Sequence, residues 1–502
     1  MPAANGNAAN GESHVVPLVI AGKEVQTETT FHVTGPHEEK TVWTCSSASK
    51  ADAERAVDAA QNVFKKWSRT NPAQRRDIFL KAADNMEKRT EELSRYMIEE
   101  TGATQDWAGF NIVTSIEMLR DIAGRIAGAV EGVVPWPADE NTSAMITKEP
   151  YGVVLGIAPW NAPYILGTRS IAYPLAAGNT CILKGSELSP RVFYGIGKCF
   201  TDAGLPEGAL NVIYHRPQDA AEVTTALIAH PSVKKINFTG STPVGSIIAQ
   251  TAGRYIKPVL LELGGKAPAV VCPDADLKKA AFQCILGAFF HAGQICMSTE
   301  RIIVHESIKE AFAKELTAAS EQIFSKNSDA PTMVTAAGRE KTKKLVDAAL
   351  AVSSRPPRLN RTHSVQAGAK SLDGSQPDYT THSKTRMRPI IIDGVTKDMD
   401  IYYAETFGPS VSLIMYKDEE EAIEIANDTE YGLAAAVFTE NLQTGLRIAK
   451  QIDSGAVHIN HMTVHDEPRL PHGGSKSSGF GRFGGNWGFD EFLRVKTITF
   501  SN

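Results

Sequence analysis

From residue 151 onward, short apolar runs and helix-length segments take turns along the chain. The runs are Gly152-Val153-Val154-Leu155-Gly156-Ile157, Thr180-Cys181-Ile182-Leu183, Leu210-Asn211-Val212-Ile213-Tyr214, Lys235-Ile236-Asn237-Phe238 and Pro258-Val259-Leu260-Leu261. Between them lie helix-length segments at roughly 165–177, 187–203, 218–229 and 243–253. Strands that are apolar throughout are buried on both faces, and strands joined through helices run parallel. An α/β chain with a mainly parallel, twice-covered sheet is therefore expected. A second alternation begins at Ala269-Val270-Val271, with helices over 276–291 and 307–324. Its strands fall at Arg301-Ile302-Ile303-Val304 and near 389–392 and 411–416, which predicts a second α/β domain from about 266.

Ahead of the alternation, Ser49 is placed to cap a helix over 49–67, and helical patterns continue over 72–130 with breaks near Gly102 and Gly132. Residues 1–15 read as a flexible tail, and 353–385 as an irregular surface excursion. A chain of 502 residues is long enough for two or three domains. Its net charge of −5 gives no electrostatic case for nucleic acid or an anionic membrane. Six cysteines without paired spacing argue against disulfides or zinc and for a reducing compartment. With neither a signal pattern nor a long apolar stretch, a cytoplasmic protein is expected.

Candidate chemistry gathers at three places. Cys296, in Gly293-Gln294-Ile295-Cys296-Met297-Ser298-Thr299, is expected in a loop after Gly293 ends the helix before it. Judged alone, a free cysteine is more often core filler, and only about 3% of an ordinary thiol is ionised at pH 7. Glu262 ends an apolar strand just before Gly264-Gly265. A carboxylate there either pairs, with Lys266 or another cation, or titrates near the roughly 6–7 that suits a general base. Asn161, in Pro159-Trp160-Asn161-Ala162-Pro163, is either a turn residue or a neutral donor for an oxyanion. Gly240-Ser241-Thr242-Pro243-Val244-Gly245 opens a helix whose first N–H groups suit a phosphate. Lys184 could reach an adenosine ribose, and Glu187 would bond ribose hydroxyls and repel a 2′-phosphate, favouring NAD over NADP. Gly479-Phe480-Gly481-Arg482-Phe483-Gly484 matches G-x-G-x-x-G literally, but no βαβ unit is expected around it, so it is read as a coincidence.

Taken in order, these motifs, with Glu405-Thr406-Phe407-Gly408-Pro409 and Pro471-His472-Gly473-Gly474-Ser475-Lys476, resemble the aldehyde dehydrogenase superfamily over about residues 17–499. The resemblance implies a nucleotide-binding α/β domain (16–130 and 150–265), a catalytic α/β domain (266–484) and a small β oligomerisation arm (131–149 and 485–502). Cys296 then resembles the nucleophile, Glu262 the general base and Asn161 the oxyanion donor. The NAD site implied comprises Pro159, Trp160, Lys184, Glu187, Gly240, Ser241, Val244, Gly245, Leu263, Glu405 and Phe407, with no metal. Homodimers or homotetramers are implied as well. Three features depart from the pattern: Gly185 replaces a frequent proline, His472 stands where phenylalanine is common, and 353–385 matches poorly.

Within the superfamily, Thr463-Val464-His465-Asp466-Glu467-Pro468 and Trp160 to Arg169 resemble the salicylaldehyde, vanillin and benzaldehyde dehydrogenases. Oxidation of an aromatic aldehyde to its acid, through a Cys296 thiohemiacetal and thioacyl intermediate, is the expected activity. Trp107, Tyr164 and Phe290 are expected as aromatic walls. Arg169 either binds an electron-rich substituent or pairs with a buried acid. Two alternatives stay open: a semialdehyde dehydrogenase holding an anionic substrate on Arg169, and a biosynthetic step on a substituted aldehyde such as a fungal polyketide. A CoA-acylating enzyme would have no need of Glu262 as a hydrolytic base, and a non-catalytic binding protein would have no need of all three groups.

Overall fold

Two largely parallel sheets follow one another along the chain and meet at residues 263–266. The computed structural model describes residues 15–37, 39–324, 329–351, 369–374, 377, 379 and 383–501. Residues 1–14 of the tail expected over 1–15 and most of the 353–385 excursion lie outside the described residues, and Val15 begins the strand Val15–Val16. The part of that excursion that is described includes the strand Lys370–Ser371, which lines the edge of the second sheet.

The first sheet has eight strands, in the order Gly479–Phe480, Val259–Glu262, Val233–Thr239, Val153–Ile157, Thr180–Lys184, Leu210–Ile213, Leu18–Ile20 and Lys23–Val25. Its five central strands are parallel and the outer ones antiparallel. Strand order reverses beside Val153–Ile157, whose neighbours are the second and the fourth strands of the alternation. A reversal of this kind opens a crevice at the carboxyl ends of the two adjacent strands. Here those ends lead into Pro159-Trp160-Asn161 and Gly240-Ser241. The second sheet runs Lys370–Ser371, Ile390–Asp393, Ser410–Tyr416, Thr299–His305, Ala267–Val271, Ala434–Phe438 and Ala456–Ile459. The last two strands escaped the sequence reading, Ala434–Phe438 despite being apolar throughout.

Helices cover the sheets as the apolar periods require. Lys50–Trp67 begins at Ser49, whose hydroxyl accepts from the Asp52 N–H while the Asp52 carboxylate accepts from the Ser49 N–H, a reciprocal cap. The helical stretch 72–130 breaks into Pro72–Lys88, Thr90–Thr101 and Gln105–Ala129. The break at Gly102 matches the expectation, whereas the one at Arg89 carries no glycine or proline signal. Helix Leu277–Phe289 ends earlier than expected: the chain leaves it at Phe290 and passes through His291 (φ 48°) and Ala292 (φ 54°) before Gly293. Two consecutive side-chain-bearing residues in the left-handed region are costly, so the surroundings must hold this turn in place.

Thr142–Pro150 and Leu493–Ser501 form a separate antiparallel ribbon, in register from Leu493 opposite Pro150 to Ser501 opposite Thr142. Gly485–Asp490, expected as part of the arm, is instead a short helix whose Phe489 meets Tyr173 edge-on at 5.6 Å. Among the described residues no helix is long and apolar enough to cross a membrane.

Candidate active site

Strand Val259–Glu262 delivers Glu262 to the crevice of the first sheet, and Ala267 opens the second sheet only a few residues later. This crossing leaves no room for side chains. A Cβ on Gly265 would lie 2.2 Å from the Cys296 carbonyl oxygen, and one on Gly264 would lie 2.7 Å from a Glu405 carboxylate oxygen. Two glycines are therefore what allow Cys296 and Glu405 to close on the end of the Glu262 strand. The Gly265 N–H donates to Glu405 Oε1 at 2.9 Å. Burial, then the neighbouring charge of Glu300, pushes the Glu405 carboxyl up to about 7.

Lys266, the cation that the sequence offered as a partner for Glu262, is engaged elsewhere. Its ammonium meets Glu300 at 2.6 Å and donates to the Ala404 carbonyl at 2.7 Å. Glu300 in turn accepts from the N–H groups of Thr406 and Phe407 at 3.0 Å. This buried pair ties down the 404–407 loop, where Phe407 has a φ of 53° and meets Trp160 edge-on at 5.8 Å. Glu262 itself is buried, and the Cys296 thiol faces its carboxylate. The basic side chain within ion-pair distance is His472, with Nε2 at 3.7 Å from Oε1.

All six cysteines are free, and Cys296 alone among them is not fully buried. The others fit the reading of core thiols. Burial first, and the Glu262 carboxylate second, raise the Cys296 thiol well above its ordinary range. The strained turn before Cys296 is held by Gln294, whose amide donates to the His291 carbonyl at 3.1 Å and accepts from the Val334 N–H at 2.9 Å. The Asn161 amide donates to the Gln294 carbonyl at 3.0 Å. Trp107 Nε1 donates to the Asn161 carbonyl at 3.0 Å. Thiol, carboxylate and amide thus share one seam.

Two spaces open on that seam. One, of about 220 Å³, is lined by Pro159, Trp160, Gly240, Ser241, Leu263, Glu405 and Phe407, together with Thr335 and Lys341. Lys184 and Glu187 lie beyond it, at and just after the end of strand Thr180–Lys184; burial lowers the Lys184 ammonium pKa and the Glu187 charge works against that shift. Ser241 stands at the N-cap of helix Thr242–Arg254 without a side-chain cap bond, so the first-turn N–H groups stay available to a phosphate. Val244 is exposed on that turn and Gly245 packs beneath it. These donors and the Glu405 carboxylate fit a dinucleotide.

The other space is apolar and narrow, lined by Trp107, Phe110, Ile165, Leu166, Arg169, Val464 and His472 around Cys296. Trp107 stacks on Phe110 at 5.5 Å and meets Phe290 edge-on at 4.9 Å. Tyr164, expected as a wall, faces the opposite way: it is fully buried and donates to the Leu93 carbonyl at 2.7 Å. Helix Pro163–Ala176 is buried on every side, so its sequence period could not show which residues face the channel. Arg169 meets Asp466 bidentately at 2.5 Å with both side chains buried. Burial works against each charge, and their mutual attraction keeps both ionised. Sequence reasoning allowed for a buried acid without identifying Asp466, and it did not single out Gln294 or the Lys266–Glu300 pair. Gln294 is adjacent in a quoted motif; the other contacts are long-range and leave no local signal.

Removing one partner from a buried pair strands the other. Asp466→Ala is expected to cost about 3–5 kcal/mol in denaturant unfolding. A variant within about 1 kcal/mol of the parent would show that Arg169 is compensated by another group.

A parallel-sheet crevice that faces a thiol, a buried carboxylate and an amide fits the aldehyde-oxidising dehydrogenase expected from the motifs. The aldehyde dehydrogenase family model matches residues 23–498. The chain is 41% identical to vanillin dehydrogenase of Pseudomonas sp. strain HR199, covering 97% of this chain and 98% of that one. It is 38% identical to salicylaldehyde dehydrogenase of Pseudomonas sp. strain C18, over 94% of both. A crystal structure of salicylaldehyde dehydrogenase from Pseudomonas putida G7 complexed with salicylaldehyde superposes with a TM-score of 0.90 at 36% identity, covering 97% and 98% of the two chains. Betaine aldehyde dehydrogenase of Staphylococcus aureus in complex with NAD+ gives 0.89 at 30% identity, covering 97% and 95%. The chain belongs to the aldehyde dehydrogenase family. It is an aldehyde oxidoreductase with that family's α/β fold.

Proposed function

We propose that this enzyme oxidises an aromatic aldehyde to the carboxylic acid with NAD+, through a thioester on Cys296. The observation that carries the reading is the convergence of Cys296, Glu262 and Asn161 where a dinucleotide-shaped space meets an apolar channel walled by Trp107 and Phe110. The Cys296 thiol gives up its proton to solvent, and the thiolate attacks the aldehyde carbon. The oxyanion forms against the Asn161 amide and the Cys296 N–H, donors that carry no competing charge. Bound NAD+ supplies the hydride acceptor. Glu262 then removes a proton from water, and the acid leaves as the carbon–sulfur bond breaks.

An aromatic substrate suits the channel better than an anionic semialdehyde does, because the Arg169 charge is already spent on Asp466. NAD+ rather than NADP+ rests on Glu187, placed just after the Lys184 strand, where a carboxylate opposes a 2′-phosphate. The working protein is proposed to be a cytoplasmic dimer or tetramer joined through the ribbon, which leaves Val495, Ile498 and Phe500 exposed.

A substrate panel tests the assignment. With NAD+, kcat/KM for benzaldehyde, vanillin and salicylaldehyde is expected to exceed that for succinic semialdehyde by about 10–200-fold, the range that a few apolar contacts provide. Preference for the semialdehyde, or for NADP+, would overturn the corresponding half of the reading.

A further inference from the structure

A carboxylate in the position of Glu262 faces a difficulty. It is buried, the Cys296 thiol is the donor that faces it, and the cation that follows it in sequence is bound to Glu300. A carboxyl acts as a base only while it is ionised and aimed at its proton donor, so the basic neighbour that faces it matters.

His472 is that neighbour. Its Nε2 lies 3.7 Å from Glu262 Oε1, and its side chain is only 11% exposed. The residue is clasped by its main chain, with its N–H donating to the Phe483 carbonyl at 3.0 Å and its own carbonyl accepting from the Phe483 N–H at 2.8 Å. The ring lines the same channel as Cys296. The other charged groups around it are committed. Arg169 Nη2 donates to both carboxylate oxygens of Asp466. His458 and His465 have rings 4.9 Å apart, His458 is close enough to feel His472, and His465 faces Glu467 at 3.8 Å. None of these meets Glu262 within ion-pair distance, although Arg169 acts on it electrostatically and the Cys296 thiol faces it.

We propose that His472 is a positioning residue for the hydrolytic half-reaction: with Nε2 protonated it holds the Glu262 carboxylate ionised and aimed at the channel. This rests on Glu262 being the base for thioester hydrolysis. In that step water adds to the thioacyl carbon, a water proton passes to Glu262, the carbon–sulfur bond breaks with its electron pair left on Cys296, and no redox change occurs. His472 acts on this step through Glu262 and is not required for hydride departure.

The test uses the full-length enzyme with NAD+ and benzaldehyde in a single turnover. Hydride transfer is followed as NADH and acid release by rapid quench, each across pH. His472→Phe keeps an aromatic ring and removes the N–H. It is expected to slow acid release about tenfold more than it changes NADH formation, the scale of a modest general-base effect. Loss of a positive neighbour raises a carboxyl pKa, so the acid limb of acid release moves up by about one pH unit. His472→Gln, which restores an N–H, is expected to recover most of the rate and to lie between the two pH profiles. It also serves as the variant if the phenylalanine form does not fold. An unmoved acid limb with parent acid release in His472→Phe, or equal slowing of both phases, overturns the role of His472. Failure of the underlying reading looks different: Glu262→Gln would then release acid at the parent rate.

Discussion

Cys296→Ala is expected to remove aldehyde oxidation almost completely, lowering kcat/KM by about four to six orders of magnitude, as loss of an enzyme nucleophile does. The reason is chemical. An aldehyde carbon offers only hydride as a leaving group, and the bond to sulfur is what makes that departure accessible. None of the other cysteines can substitute, since all five are fully buried. The raised thiol pKa adds a signature: in the parent, the hydride-transfer rate is expected to climb as pH rises from neutral into the alkaline range, because more thiolate forms. NADH production measured with saturating NAD+ checks the variant. Retention of even a tenth of parent activity would exclude Cys296 as the nucleophile.

Glu262→Gln is expected to lower steady-state turnover by about 10²–10⁴-fold, the usual contribution of a general base. Its first turnover should survive. Glu262 is the second-largest influence holding the Cys296 thiol protonated, after burial, so removing its charge favours thiolate while depriving hydrolysis of its base. Stopped-flow traces should therefore show a burst of NADH followed by a slow phase, with enzyme accumulating as a thioester detectable by mass. A variant that lost the burst as completely as Cys296→Ala would place Glu262 in the first half-reaction instead.

Much of this site could be read from the chain itself. The motifs around Asn161, Glu262 and Cys296 each sit where a strand or helix ends, so their placement followed from local pattern, whereas Glu405 entered through the family resemblance. The pocket did not follow. Tyr164 and Arg169 share a helix with no polar face, and only the packing of Leu93 and Asp466 against it shows that one turns away and the other is neutralised. The early break at Phe290 has the same origin. No glycine or proline marks it, and the left-handed His291 and Ala292 are held by contacts of Gln294 with Val334 and its own turn.

By itself, the sequence determined the two α/β alternations, the dinucleotide-type crevice and the chemical groups available at it, because apolar period, glycine position and residue chemistry are local properties. Tertiary structure alone decided how those groups are paired. Lys266 goes to Glu300, Arg169 to Asp466, and Glu262 is left facing His472. Ion pairing depends on distances between residues far apart in the chain, and in a buried site the first partner to satisfy a charge removes it from every other role.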